Sequence, residues 1–274
     1  MTLIDVSARP YYGPSWSIVC AACCLGLAGA LIFAAFPQID LGVSRLFYMG
    51  GNLFLFSRPS TGNAVRELLQ LAFILLTAGA VVGFVTVAFA SRRLFGLGFA
   101  GWIYILLTIG VGAGLIANAV FKEQWGRARP NQIVEFGGTK QFSTPLTRTD
   151  QCEQNCSFIA GEPSSIFSAG FAIALLAERA RRRRLLIAAI AAGGFAGLLR
   201  IGAGGHFLSD VFFAGIFMAI TARLLYWVLF ERFYEAFADE GPLHRRTLYA
   251  GQRGAEHAAR LIERARALRR RKGP

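Results

Sequence analysis

Six apolar stretches, at roughly 16–36, 68–90, 99–121, 163–177, 185–199 and 211–230, organise this chain. The first, second, third and sixth approach the ~20 residues that a helix needs to cross a bilayer. The fourth and fifth are short, so each must borrow a turn or more from its polar flanks. Polar groups kept at that depth are costly and become functional suspects. Hydrophobic residues make up 54% of the 274 residues against 16% charged, with 24 phenylalanines, and no water-soluble core hides that much apolar surface. The expectation is an all-α, polytopic, six-transmembrane-helix bundle. Residues 1–15 precede it, 16–230 form it, and 231–274 make a basic tail. The first stretch does not read as a signal peptide, because it is long, lacks a basic leader and has no small-residue cleavage site after Phe36.

The net charge of +13 suggests nucleic acid only until its distribution is considered. It sits in short clusters between apolar stretches and in the tail, a pattern that follows membrane topology and anionic headgroups, and nucleic acid is not an expected partner. Arg92 and Arg93, then Arg179 and Arg181 to Arg184, then Arg269, Arg270, Arg271 and Lys272 fall on one side. The positive-inside rule makes that side cytoplasmic, with both termini there, and turns 37–67, 122–162 and the 200–210 junction outward. Segment 37–67 carries Arg45, Arg58 and Arg66 among Phe47, Tyr48, Phe54 and Phe56, which suits a segment in the headgroup region. It reads either as a lid or lipid access rim, or as a plain connection. Ala255, Ala258, Ala259, Ile262 and Ala265 give the tail a weak apolar stripe, so it reads as a helix on the lipid surface or as a solvated extension.

Three polar clusters interrupt the apolar pattern, and the topology puts all three on the outer face. Lys122 to Pro130 follows the third stretch, Cys156 to Ser165 opens the fourth, and Arg200 to Asp210 joins the fifth and sixth. Lys122, Arg129 and Arg200 bring three cations without matching acids, which suits a phosphate-type anion. Gly161 precedes a helix start with Pro163 in its first turn, where free amides and the positive helix end favour an anion. His206 and Asp210 are four apart, so a carboxylate can hold one imidazole nitrogen and leave the other free to attack. Each residue alone is more often an interfacial anchor or a satisfied polar group. Three clusters on one face are harder to ascribe to chance.

The spacings K-x6-R-P over Lys122, Arg129 and Pro130, and R-x5-H-x3-D over Arg200, His206 and Asp210, resemble the signature of the type 2 phosphatidic acid phosphatase superfamily. The resemblance runs over about residues 99–230. It implies His206 as a nucleophile that forms a phosphohistidine, Asp210 as its partner, and Lys122, Arg129 and Arg200 as binders of the phosphoryl oxygens. It implies neither metal nor cofactor. The middle part departs from the family's Ser-Phe-Pro-Ser-Gly-His. Aligned on Ser157-Phe158, Gly161 is retained and Glu162 stands for the His that protonates the leaving group. Aligned instead on Pro163-Ser164, Ile166 takes that place and no acid remains. The first alignment is preferred because it keeps the glycine and a proton carrier in place, so Glu162 is expected to be the general acid, with a helix N-terminal acid set against the dipole as the alternative.

Cys152 and Cys156 flank this segment, as a disulfide on an oxidising side or as two free thiols. Cys20, Cys23 and Cys24 lie in an apolar stretch and read as small hydrophobes. The resemblance implies hydrolysis of a lipid phosphate at the outer leaflet of a bacterial inner membrane, with the site facing the periplasm. Candidate substrates are lipid A phosphate, undecaprenyl pyrophosphate, phosphatidylglycerophosphate and phosphatidic acid. The changed middle motif points toward a lipid A phosphatase-like branch. Transfer of the phosphoryl group to another lipid, and non-catalytic binding or flipping of a lipid phosphate, stand as alternatives.

Overall fold

The computed structural model describes residues 15–57, 61–90, 93–239 and 241–271. Arg58, Arg92, Lys272 and residues 1–14 lie outside these, as do the side chains of Ala255, Ala265 and Arg269 to Arg271. The apolar stretches form helices α1 (Ser17–Ala35), α3 (Thr61–Ala90), α4 (Phe99–Gln124), α5 (Gly161–Leu176), α6 (Arg179–Gly202) and α7 (Leu208–Arg232). A short helix, α2 (Gln38–Arg45), and a hairpin of β1 (Tyr48–Gly50) and β2 (Leu53–Phe54) lie between α1 and α3. A last helix, α8, spans Pro242–Arg271.

Five of the helices are long and apolar enough to cross a membrane, while α5 stops at 16 residues. At 1.5 Å per residue that is about 24 Å, short of the ~30 Å hydrocarbon layer. The two short stretches thus resolve differently. The fifth gains its missing length from the arginine run, since α6 begins at Arg179. The fourth gains little, and its ends lie where the polar clusters are.

Helix α5 sits centrally, packed on α4, α6 and α7, with α1 on α7 and α3 on α4. Small residues set the close approaches. A Cβ at Gly193 would run into the Phe167 ring, and one at Gly197 into Val211. Without a hydrophobic drive between helices in lipid, such contacts and buried polar bonds carry association. Outward faces bear exposed Leu27, Leu31, Val82 and Ile187, the inverse of a soluble protein's surface. Thr108–Phe121 within α4 is wound as a π-helix, a geometry concentrated at functional sites, and it runs straight into Lys122.

Segments 37–57, 122–162 and 203–210 gather at one end of the bundle. The aromatics of the first segment pack on the protein, Phe47 against Phe56 and Tyr48 against Phe54 and Phe136. Phe54 is only 2% exposed and packs with Phe136 and Phe207 in a small core of its own. Gly204 adopts φ +67°, a left-handed turn where a Cβ would meet the Phe54 ring, so this position requires glycine. The Phe56 amide donates to the Gly202 carbonyl (2.9 Å) and the Asn131 amide to Gly204 (3.1 Å), tying all three segments together. At the opposite end Asp239 accepts from the Phe99 amide (2.8 Å) and pairs with Arg93, and His244 of α8 stacks on Phe99.

Candidate active site

All the site residues expected from sequence lie at the first of these ends. Lys122 ends α4, with Arg129 in the stretch after it. Gly161 and Glu162 open α5, Arg200 occupies the last turn of α6, His206 lies in the junction, and Asp210 stands in the first turn of α7.

His206 is 1% exposed. Its Nδ1 lies 2.7 Å from the Ser157 carbonyl, whereas the nearest Asp210 carboxylate oxygen is 3.8 Å away. A carbonyl only accepts, so Nδ1 carries the proton and the Nε2 lone pair is left for chemistry. The sequence suggests a carboxylate for this place, and a backbone oxygen occupies it. Burial lowers the imidazole to about 4, against the opposing pull of Asp210 and with help from Arg200 and Lys122. The ring is therefore neutral near pH 7, the state a nitrogen nucleophile needs.

Asp210 serves as a hub. Its Oδ2 accepts from the Phe207 amide (2.8 Å) and from the Ser157 hydroxyl (2.5 Å), the first being a carboxylate reaching back to cap its own helix. Its Oδ1 accepts from Arg127. Ser157 thus receives His206 through its carbonyl and reaches Asp210 through its hydroxyl, linking the two by one residue.

Arg127 was not among the expected residues, and it is the most deeply buried cation of this end, with a side chain 0% exposed. Besides Asp210 it donates to Asp40 (2.8 Å), Ser209 Oγ (2.8 Å) and the Ser143 carbonyl (2.9 Å), and its guanidinium lies 4.4 Å from the centre of the Phe207 ring. Asp40, from α2, also accepts from the Ser209 amide and hydroxyl. A buried charge without partners would cost several kcal/mol, and here each one is paired. The sequence signal was available: a further cation two residues before Arg129, and two acids, Asp40 and Glu67, in the outward segment 37–67.

The three cations of the cradle have looser partners. Lys122 Nζ donates to Asn155 Oδ1 (3.2 Å), and Arg129 donates to the Asn155 carbonyl (2.6 Å). Cys152 and Cys156, which bracket Asn155, are joined by a disulfide. The Gly161 and Glu162 amides open α5 with no carbonyl inside the helix to bond. A Cβ at Gly161 would lie 2.7 Å from Lys122 Nζ, so any side chain there would push the end of the lysine aside.

Glu162 holds an unexpected partner. Arg66 of α3 grips both carboxylate oxygens, with Nε 2.9 Å from Oε2 and the terminal nitrogen 2.7 Å from Oε1, and Arg200 Nε stands 3.6 Å from Oε1. A carboxylate in a two-point guanidinium pair accepts protons' hydrogen bonds and offers none. Directly beside the pair a cavity of about 370 Å³ runs between α3, α5 and α6, lined by Phe73, Ile166, Ala196 and Leu199 among others. The Arg66–Glu162 pair thus stands between the cation cluster and a largely apolar recess.

A profile of the PAP2 superfamily matches residues 67–234. Among curated proteins, the chain is 41% identical over 129 residues to a lipid A 4'-phosphatase of Francisella tularensis subsp. novicida, covering 47% of this chain and 58% of that one. It is 32% identical over 197 residues to a lipid A 4'-phosphatase of Rhizobium leguminosarum, covering 66% and 82%. It is 32% identical over 154 residues to a lipid A 1-phosphatase of Rhizobium johnstonii, covering 54% and 57%. The chain thus spans little more than half of the Francisella relative. No solved structure matches it.

Proposed function

We propose, for a chain that belongs to the PAP2 superfamily, that it hydrolyses a phosphate monoester on a membrane lipid through a phosphohistidine on His206. The observation that carries this reading is the His206 ring itself. Its Nδ1 is engaged by the Ser157 carbonyl, it is held neutral by burial, and Nε2 has no hydrogen-bond partner among the described residues. Lys122, Arg129 and Arg200 supply the positive surroundings for a phosphoryl group, together with the amide of Gly161.

In this reading Nε2 attacks phosphorus as the bond to the lipid oxygen breaks, and the leaving oxygen takes a proton from water. Water then attacks the phosphohistidine and releases inorganic phosphate. Asp210 fixes Ser157, and through it the ring. Glu162 receives no proton-transfer step, because its oxygens accept from Arg66 and lie beside Arg200. The apolar cavity beside the cradle favours a lipid over a soluble phosphate ester.

Lipid A carrying its 4'-phosphate is the first candidate substrate, since two relatives bear that activity in their names. The site would face the periplasm in the inner membrane. Phosphate release from a panel of lipid A, undecaprenyl pyrophosphate, phosphatidylglycerophosphate and phosphatidic acid, with the purified chain in detergent, tests the proposal. Release from lipid A that disappears in His206→Ala supports it. Undiminished release by His206→Ala overturns it.

A further inference from the structure

The cradle contains a carboxylate where an incoming phosphate would bring its own negative charge. Glu162 projects from the first turn of α5 and is shared unequally by two arginines from different helices. Arg66, from α3, takes it in a fork. Arg200, from α6, stands 3.6 Å away, and its buried Nε has no hydrogen-bond partner among the described residues. Arg200 is thus the cation whose bonding is incomplete, and Glu162 is the anion nearest to it.

We propose that Glu162 is a resident anion: substrate phosphate displaces it from Arg200, and its return after hydrolysis drives inorganic phosphate out. Arg66 is the positioning residue that holds the carboxylate aside while phosphate is bound. The inference rests on the phosphate-cradle reading above.

Lys122, Arg129 and Arg200 lie close enough to repel one another, so an empty cradle is under electrostatic strain that a carboxylate relieves. Phosphate relieves it better, but the two anions then repel, and the carboxylate needs another cation. Arg66 already provides that place, by two parallel bonds that require no rearrangement of the helix start. Once the phosphoryl group is free phosphate, the carboxylate competes with it for Arg200 and shortens its stay.

The test is binding of inorganic phosphate, the product, to the full chain in detergent by calorimetry at one fixed salt concentration. Glu162→Gln should tighten binding by about tenfold, because the competitor has lost its charge. Arg66→Ala should weaken binding by about tenfold with Glu162 present, since the carboxylate then has only Arg200, but by less than about threefold in the Glu162→Gln background. Arg66→Lys, which keeps the charge without the fork, should fall between. Equal weakening by Arg66→Ala in both backgrounds would mean that Arg66 binds phosphate directly, and the proposal falls. It falls equally if Glu162→Gln leaves affinity unchanged. If neither wild type nor Glu162→Gln binds phosphate at all, the cradle reading fails with it, a result distinct from either of the others.

Discussion

The Arg127 guanidinium joins Asp210 to Asp40 beneath the site, 2.5 Å from one carboxylate and 2.8 Å from the other. Asp40 comes from α2 and Asp210 from α7, so one buried cation fastens the segment between α1 and α3 to the helix start that positions His206. Removing Asp40 leaves Arg127 paired with Asp210 but strands one guanidinium nitrogen and the Ser209 amide without an acceptor, at a cost of roughly 1–3 kcal/mol for each buried group. Asp40→Ala should therefore lower the thermal unfolding temperature in detergent and reduce turnover, although Asp40 touches no expected phosphate ligand. Asp40→Asn, which retains the acceptor oxygen, should recover part of the loss. Unaltered unfolding in Asp40→Ala would mean that the triad is not holding the two segments together.

His206 should stay neutral well below the usual histidine range. Its folded value of about 4 lies under the ordinary 6.5, so between these limits the unfolded chain takes up a proton that the folded chain refuses. Acidification through that window should therefore erode stability, and the ring should not titrate near 6.5 in the folded protein. The chain contains three histidines, which makes selective 15N-histidine labelling readable. One ring should show the Nδ1-protonated neutral tautomer at neutral pH and vanish in His206→Ala. A proton on Nε2, or titration near 6.5, would contradict the arrangement with the Ser157 carbonyl.

Residue types that recur at short intervals within one segment are legible in the sequence. Lys122, Arg129, Arg200, His206 and Asp210 stood out in this way, and the fold brings them to one end of the bundle. Partners distant in the chain were not legible. Asp40 and Arg127 meet across 87 positions, and Arg66 and Glu162 across 96. Arg127 looked like one more basic residue of an interfacial segment, and Arg66 like a charge in a connecting one. The partner of His206 escaped for another reason: it is a backbone carbonyl, and every residue has one. The helices themselves were visible from hydropathy, but which short stretch would lengthen depended on the arginine run of α6 continuing a helix that α5 could not match.

Gly161 offers a sharper test of the cradle than any charge removal. A methyl group at this position would lie 2.7 Å from Lys122 Nζ, so Gly161→Ala must displace the lysine while leaving its charge in the protein. The Michaelis constant for the lipid substrate should rise by about tenfold, the equivalent of one well-placed charged contact. Gly114 on α4 has nothing within 4 Å of an added Cβ, so Gly114→Ala serves as the control for a glycine replaced without a clash. Equal effects of the two substitutions would show that proximity to Lys122 does not matter.

The Cys152–Cys156 disulfide closes a loop that supplies bonds to both flanking cations. Asn155 accepts from Lys122 through its side chain and from Arg129 through its carbonyl, and Ser157, directly after Cys156, supplies the carbonyl that holds His206. A free C-x3-C segment would sample many conformations in which these acceptors point elsewhere. Because Cys156 is itself buried and its amide donates to the Lys122 carbonyl (3.0 Å), the loop stays attached after reduction but loses its fixed shape. Cys152→Ser alone, and reductant on the wild type, should then each weaken inorganic phosphate binding about threefold to tenfold, with overall unfolding shifted by less than the Asp40→Ala change. Adding reductant to Cys152→Ser should have no further effect. A reductant effect that persists in this variant would have to originate elsewhere than the loop around Asn155.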